Sequence, residues 1–371
     1  MKMSPFKLER FFAAHEFNVE YTLTSSDCEP MSLAQLLQLA DDESREAWES
    51  LILGYTEYQG APELRREIAQ LYSDCTADDV LVAAPEECIF IAMQCLLEKG
   101  DHVICTFPGY QSLYELARSM GCAVDLWAPD EGAGWRFDPS FVSENVRPNT
   151  RLIVMNFPHN PTGAVLDRAS YDTVMSLAAG RGIAVFSDEI YRFLELDPGS
   201  RLPAACDAYD RAVSLFGMSK SFGLAGLRLG WLVTRDRDLY ERMGAYKDYT
   251  TICPPAPSEI LSLIALRARE TILGGNLALV GRNLSKLDEF FERREGLLSW
   301  NAPAGGSIAL VRLHGGRTSP EFCSEVLKRT GVLLLPSTAF DFGEKHFRVG
   351  FGRDDMPEAL ARLDEYLDSS L

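Results

Sequence analysis

The feature that most constrains this sequence is a series of short apolar segments, between about residues 62 and 235, that alternate with helical patterns. These segments are rich in β-branched residues and apolar at consecutive positions. A strand of this kind is covered on both faces, as in the parallel sheets of α/β proteins. The predicted strands span residues 80–84, 102–107, 123–127, 152–157, 183–186, 212–216 and 229–233. We therefore predict an α/β fold with a mainly parallel, seven-stranded sheet sandwiched by helices.

The pattern changes after the two prolines at positions 254 and 255. A long helix is predicted over 258–294, with a break near Gly274 and Gly275. Short strands at 308–313, 332–335 and 347–351 follow, with helices near 320–329 and from Pro357. This pattern predicts a smaller α+β domain, and 371 residues exceed the usual size of one core. We predict a large domain at 46–255 and a small domain made of 1–45 and 256–371.

Composition excludes several classes of function. The net charge of −18 disfavours binding to nucleic acids and to anionic membranes. No apolar run is long enough to span a bilayer, and residues 1–12 lack the apolar core of a signal peptide. The nine cysteines include no C-x-x-C pair, and the five histidines lack metal-ligand spacing. We therefore predict a cytoplasmic protein with free thiols and without a metal site.

Two polar motifs end predicted strands, where α/β sheets place their ligands. The segment 156–163, with sequence NFPHNPTG, contains Asn160 between two prolines and can also be a simple rigid turn. Asp188 and Tyr191 follow the next strand. A buried carboxylate needs a positive partner, such as a protonated heterocyclic nitrogen, although a strand-end turn is the alternative.

Two further motifs bring positive charges. Lys220 follows a strand among small residues, with Ser219 before it and Arg228 eight residues later. A lysine whose pKa is lowered can form an imine, and an arginine fork can bind a phosphate. Arg348 lies inside an apolar strand, where a buried arginine needs an anion. That anion is either a substrate carboxylate or a structural ion-pair partner.

These motifs, in this order, resemble those of the class I/II aminotransferases of the fold-type I PLP family, from about Gly54 to the C-terminus. The resemblance implies pyridoxal 5'-phosphate (PLP) as cofactor and a homodimer with shared active sites. By this resemblance, Lys220 forms the Schiff base and moves the proton, and Asp188 pairs with the ring nitrogen. Tyr191 and Asn160 bind the 3-oxygen of the cofactor, and Tyr110 stacks on its ring. The phosphate is held by Ser219 and Arg228 with Tyr55 of the partner subunit, and the substrate carboxylate is bound by Arg348 with Asn160.

Two segments depart from the family pattern. Ala84, Pro85 and Glu86 stand where relatives carry a phosphate loop, and we still expect this helix N-terminus to face the phosphate. Asp27 and Glu29 stand where relatives often have a Gly-x-Pro loop at the substrate. These carboxylates favour a cationic side chain such as a guanidinium, in similarity to capreomycidine synthases and PLP-dependent arginine oxidases. Alternatively, Asp27 caps the helix that begins near Met31. A substrate with an aromatic side chain is a further alternative to the cationic one.

The sequence thus predicts a PLP-dependent aminotransferase that converts a free L-amino acid into a 2-oxo acid. Within the same chemistry, a cyclase or oxidase of an arginine-like amino acid and a C–S or β-elimination lyase are the alternatives. A catalytically inactive regulator and a nucleotide-binding protein are rivals from other classes. The presence of all six polar side chains that the family uses favours an enzyme, and no Walker A spacing is found.

Overall fold

The computed structural model describes the backbone of residues 3–370 and the side chains of residues 3–369. Its N-terminal part consists of α1 (Lys7–His15), β1 (Tyr21–Thr22), α2 (Leu33–Gln38) and α3 (Asp42–Glu49). Helix α2 begins at a capping box, because Ser32 accepts the backbone N–H of Gln35 and the Gln35 side chain accepts the N–H of Ser32.

Seven strands form the large sheet, which confirms the prediction of a mainly parallel sheet. They are β2 (Val80–Ala83), β3 (His102–Thr106), β4 (Ala123–Trp127), β5 (Thr150–Asn156), β6 (Ala184–Asp188), β7 (Ala212–Gly217) and β8 (Gly230–Val233). Their order is β2-β8-β7-β6-β5-β3-β4, and β8 alone is antiparallel to its neighbours. Strands β2, β3, β6, β7 and β8 are buried at every position, as strands covered on both faces are.

Helices connect these strands and cover the sheet. They are α4 (Pro62–Ala69), α5 (Pro85–Leu96), α6 (Ser112–Met120), α7 (Ser140–Asn145), α8 (Arg168–Arg181), α9 (Ala205–Ala208), α10 (Arg237–Lys247) and α11 (Ala256–Arg267). Among the residues described, none of the helices combines the length and apolar composition that a membrane span requires.

The C-terminal part forms the smaller α+β unit. It contains α12 (Arg269–Arg293), β9 (Leu298–Trp300), β10 (Ile308–Leu313), α13 (Ser319–Thr330), β11 (Val332–Leu333), β12 (Leu335–Pro336), β13 (His346–Gly350) and α14 (Met356–Ser370). Strands β12-β13-β10-β9 form an antiparallel sheet, and β1 pairs in parallel with β11. Leu23 and Cys28 pack in its core, whereas Leu36 packs with Leu64 of the large sheet's helices. The division at residues 46 and 255 stays a proposal.

The predicted helix break near Gly274 and Gly275 is wrong, because α12 runs through both glycines. The chain breaks instead at Ala268, between α11 and α12, where ψ is 14°. A glycine inside a helix costs only about 1 kcal/mol. Helix α12 buries Ile272 and Leu279 on either side of the pair, and this packing keeps it continuous.

The large sheet brings the carboxyl ends of β5, β6 and β7 together. Asn156 ends β5 and lies opposite Asp188, the last residue of β6. Strand β7 ends at Gly217, three residues before Lys220. Motifs that are far apart in the sequence therefore meet at one edge of the sheet.

Candidate active site

A pocket of about 370 Å³ lies at this edge, between the large sheet and the smaller unit. It brings together most of the side chains that the sequence singled out. Its lining includes Asp27, Pro85, Glu86, Tyr110, Asn160, Asp188, Tyr191, Ser219, Lys220, Arg228 and Arg348. Residues from five predicted motifs and from the N-terminal segment thus share one cavity.

Among the described residues that line this pocket, Lys220 alone carries a primary amine. Its Nζ donates a hydrogen bond to Ser26 Oγ at 2.8 Å. Burial lowers the pKa of Lys220, and the carboxylate of Asp27 counteracts part of that effect. A lower pKa makes the neutral amine, which is the nucleophilic and basic form, more accessible at neutral pH.

Asp188 is the buried carboxyl group of the pocket, with 4% of its surface exposed. The backbone N–H of Ile190 donates to its Oδ1 at 3.1 Å. Burial raises the pKa of Asp188 to about 7, and the nearby Glu86 adds to the rise. A cation placed beside this carboxyl group would stabilise its charged form and lower the pKa again.

Arg348 is 1% exposed and forms no ion pair among the described residues, so the expected alternative of a structural ion pair is wrong. Its Nη2 donates to the Thr24 carbonyl at 2.8 Å, and its Nη1 donates to Asn160 Oδ1 at 3.2 Å. Burial lowers the pKa of Arg348 to about 10. Neutral acceptors orient this guanidinium without cancelling its charge, which leaves it suited to a carboxylate ligand.

Two tyrosines face the pocket, and their hydroxyl groups differ in hydrogen bonding. The Tyr191 hydroxyl is buried and has no hydrogen-bond partner of standard geometry among the described residues, and burial raises its pKa. The Tyr110 hydroxyl donates to Glu9 Oε1 at 3.1 Å, and its ring lies 4.9 Å from that of Phe6. Tyr191 is therefore free to donate to a ligand, whereas the orientation of Tyr110 is already fixed.

The opposite end of the pocket is built from Ser219, Arg228 and the start of α5. Arg228 has a left-handed backbone (φ 51°), is exposed, and donates from Nη1 to the Ala225 carbonyl at 2.9 Å. Pro85 occupies the first turn of α5, whose N-terminal end is favourable for an anion. The Ser112 hydroxyl donates to Glu86, and loss of water around the carboxyl group raises the pKa of Glu86 although part of the residue is exposed.

The structure separates the two acidic residues that were predicted together. Glu29 lies outside the pocket lining, because its Oε2 accepts the backbone N–H of Asp354 at 2.8 Å. Asp27 does line the pocket, and both of its oxygens accept from Arg353 Nη2, at 3.0 and 2.9 Å. The alternative role of Asp27 as a helix cap is wrong, because Ser32 caps α2.

Tyr55 lies outside this pocket and is 91% exposed. Its neighbours Ile52 and Leu53 are also exposed, by 83% and 81%. A run of large apolar side chains in water is unfavourable unless another surface covers it. The predicted role of Tyr55 at a partner's site stays a proposal.

The sequence analysis missed the contribution of the N-terminal helix. Leu8, Glu9 and Phe12 of α1, and Glu16 just after it, line the pocket. The signal was present as a short amphipathic segment that alternates Phe and Leu with charged residues. No local pattern, however, indicates which surface such a helix covers.

Three potential metal ligands, Cys75, Cys206 and Asp207, meet at a place apart from the pocket. The two oxygens of Asp207 already accept the backbone N–H groups of Ser73 and Asp74, both at 3.0 Å. The Cys75 thiol also donates to Asp207, at 3.5 Å. These contacts indicate that the cluster stabilises the turn that follows α4.

Comparisons with known proteins agree on one family. The family model "Aminotransferase class I and II" matches residues 22–363. Capreomycidine synthase of Streptomyces vinaceus is 29% identical over 283 residues, which cover 76% of this chain and 72% of that protein. A PLP-dependent aminotransferase of Streptococcus suis 89-1591 superposes with a TM-score of 0.92 at 30% identity and covers 100% of this chain and 99% of its own. The PLP-dependent cyclase OrfR superposes with a TM-score of 0.90 at 28% identity, with the same coverage.

Proposed function

Because the chain belongs to the class I and II aminotransferase family, whose cofactor is pyridoxal 5'-phosphate, we propose that it transfers the amino group of a free L-amino acid to a 2-oxo acid. The observation that carries this proposal is the position of Lys220. Its amine shares one pocket with a buried carboxyl group, Asp188, and with two arginines that form no ion pair there.

The residues of the pocket fit the cofactor. The buried Tyr191 hydroxyl has no hydrogen-bond partner of standard geometry among the described residues and can donate to the cofactor's 3-oxygen together with Asn160. Asp188 matches a protonated ring nitrogen, because a cation offsets the burial that raises its pKa. Arg228, Ser219 and the start of α5 suit the phosphate. When bound, the cofactor supplies an electron-accepting ring for the electron pair left on the substrate's Cα.

The remaining steps belong to side chains of this chain. Lys220 would hold the cofactor covalently, and the substrate amine would displace its amine. The free amine of Lys220 is a base of lowered pKa that would remove the proton from the substrate's Cα and carry it for the return transfer. Arg348 binds the α-carboxylate with its guanidinium and so holds Cα within reach of Lys220. Tyr110 is proposed to stack on the cofactor ring.

The direct test follows the nitrogen atom. The purified holoenzyme is given ¹⁵N-labelled amino acids, one at a time, with pyruvate or 2-oxoglutarate as acceptor. We expect at least one donor to pass its label to the acceptor, with one 2-oxo acid formed for each label transferred. Release of the label as ammonia from every donor, without a labelled acceptor, would refute amino transfer.

A second function has specific support from the comparisons. Capreomycidine synthase and the cyclase OrfR lie at a similar distance from this chain as the aminotransferases do. A cyclase would keep the substrate's nitrogen in its product, an oxidase would consume oxygen, and a β-elimination lyase would release ammonia without an acceptor. The same ¹⁵N experiment, run in air and without oxygen, separates these outcomes.

Replacing Arg348 with methionine should raise KM for amino acids by about tenfold or more, since a charge-assisted bidentate contact is worth 1.5–3 kcal/mol. The change in KM should be much smaller for the matching amine that lacks the α-carboxylate. Arg312→Met, which removes an arginine outside the pocket, is the matched control. Equal losses for both substrates would contradict a role in carboxylate binding.

We also propose that the chain works as a homodimer, covered at Ile52, Leu53 and Tyr55 by a second copy. Sedimentation should give twice the mass of the chain, and Leu53→Glu should shift it towards the monomer. Mixing inactive Lys220→Ala subunits with Tyr55→Ala subunits should restore activity, because each hybrid pairs one intact lysine with one intact tyrosine across the interface. Mixtures that stay as inactive as their components would exclude a shared site.

We propose a cytoplasmic location. All nine cysteines are free thiols, as a reducing compartment would keep them. Fractionation of cells that make the chain tests this directly, with recovery in the membrane or secreted fraction as the contrary result.

A further inference from the structure

The pocket has an excess of acidic side chains once those that would bind the cofactor and the substrate's α-carboxylate are set aside. Of the residues described, five with a carboxyl group line it, against three with a cationic side chain. They are Glu9, Glu16, Asp27, Glu86 and Asp188, against Lys220, Arg228 and Arg348. In the proposed function all three cationic groups have partners on the cofactor or the α-amino acid, and so does Asp188. Glu86 is held by Ser112. Glu9, Glu16 and Asp27 therefore remain without a partner on the cofactor or the α-amino acid.

Two of these three, Glu9 and Glu16, lie in and just after α1, which is firmly attached. Leu8 packs in a cluster with Leu335 and Phe340 of the smaller unit. The Lys7 backbone N–H donates to Gln111 Oε1 at 2.9 Å, and Gln111 Nε2 donates to the Pro5 carbonyl at 3.1 Å. These contacts fix α1 against the pocket, so the positions of Glu9 and Glu16 are set by the fold.

The three carboxyl groups differ in how far their charge is already compensated. Asp27 is paired with Arg353 through both oxygens, and Glu9 accepts from the Tyr110 hydroxyl. The Glu16 carboxylate forms no hydrogen bond or ion pair among the described residues, and only the Glu16 backbone N–H donates, to the Phe12 carbonyl. Glu16 is exposed to solvent on one side; its partial burial raises its pKa, and the neighbouring Asp27 and Glu9 add to the rise. A cation between Glu9 and Glu16 would relieve this mutual repulsion.

We propose that Glu9 and Glu16 select a substrate whose side chain ends in a positive charge, such as a guanidinium. The inference rests on the proposed function, because Arg348 fixes the other end of the substrate. Phe12 and Leu8 line the same pocket and provide apolar surface for the methylene groups of a long cationic side chain. Asp27 lies in the same pocket, but Arg353 pairs with both of its oxygens, so Glu9 and Glu16 are the carboxylates left for such a cation.

The test measures binding without turnover. 5-Guanidinopentanoate has the carboxylate and the guanidinium of such a substrate but lacks the α-amine, and heptanoate is a neutral carboxylate of similar length. Titration calorimetry of the holoenzyme should give a Kd for 5-guanidinopentanoate at least about tenfold below that for heptanoate. Glu16→Gln and Glu9→Gln should each shrink this ratio, while the Kd for heptanoate stays within a factor of about two. Glu20→Gln, an exposed change outside the pocket, should leave the ratio as it is.

Equal affinity for the two ligands, or a ratio that neither variant changes, would overturn the inference. The visible absorbance of the bound cofactor shows for each variant that the pocket is intact. The proposed function fails separately, in the ¹⁵N experiment. A preference for 5-guanidinopentanoate in an enzyme that transfers no label would support the charge selectivity and refute amino transfer. Label transfer from neutral and cationic donors at equal kcat/KM would refute the selectivity alone.

Discussion

Lys220→Ala should lower kcat for amino transfer by at least about a thousandfold, which is within the range that a positioned acid–base group contributes. Lys220 is the only primary amine that the described part of the chain places in the pocket lining, and burial lowers its pKa. The variant should still bind cofactor non-covalently through Arg228 and Asp188. Single-turnover kinetics with the donor found in the ¹⁵N experiment measures the loss.

The matched control is Lys99→Ala, which removes an exposed lysine outside the pocket and should leave kcat unchanged. Added methylamine should recover part of the Lys220→Ala loss, because a small amine can enter the space of the missing side chain. Retention of more than a tenth of the wild-type kcat by Lys220→Ala would contradict the assignment.

Asp188→Asn should lower kcat by about a hundredfold or more, similar to the loss of one preorganised electrostatic contact in a buried site. An amide cannot hold a protonated ring nitrogen as a carboxylate does, so the ring accepts electrons less readily. Asp172→Asn on the exposed face of α8 is the control. A change confined to KM, with kcat intact, would mean that Asp188 only helps to bind.

In the cofactor-free protein, Asp188→Asn should be favourable for stability at high pH, because it removes a buried carboxyl group that must ionise there. The pKa of Asp188 is about 7 in the folded chain, against about 3.9 in an unfolded one. Between these values the folded state binds more protons, so stability falls as pH rises. From pH 5 to pH 8, wild-type protein without cofactor should lose about 2.5 kcal/mol of unfolding free energy relative to Asp188→Asn. A difference in unfolding free energy between wild type and Asp188→Asn that is the same at pH 5 and at pH 8 would contradict this effect of burial on the Asp188 pKa.

The large sheet could be predicted because its strands are apolar throughout. Such segments must be buried on both faces, so the α/β class follows from the segments themselves. The polar motifs were found for a related reason, since Asp188 and Lys220 interrupt or follow segments that are otherwise apolar. The order of the strands, and the antiparallel β8, depend on contacts between distant segments that no local pattern records.

The acidic side of the pocket shows the limits of the sequence analysis. Asp27 and Glu29 are two residues apart, and their spacing cannot tell which carboxylate faces the substrate. The fold decides, because Asp354 binds Glu29 on the outside while Arg353 binds Asp27 at the pocket. Glu16 was overlooked, because the position of α1 is fixed by packing against residues more than 300 positions away, including Phe340.

Reductive trapping of the holoenzyme tests the assignment of Lys220 most directly. Borohydride reduces a carbon–nitrogen double bond between a lysine and the cofactor to a stable amine. Peptide mass spectrometry then locates the modified residue. We expect one modification per chain, on Lys220, and its absence after prior incubation with the amino acid donor. Modification of another lysine, such as Lys247, or none at all, would contradict the proposal that Lys220 holds the cofactor.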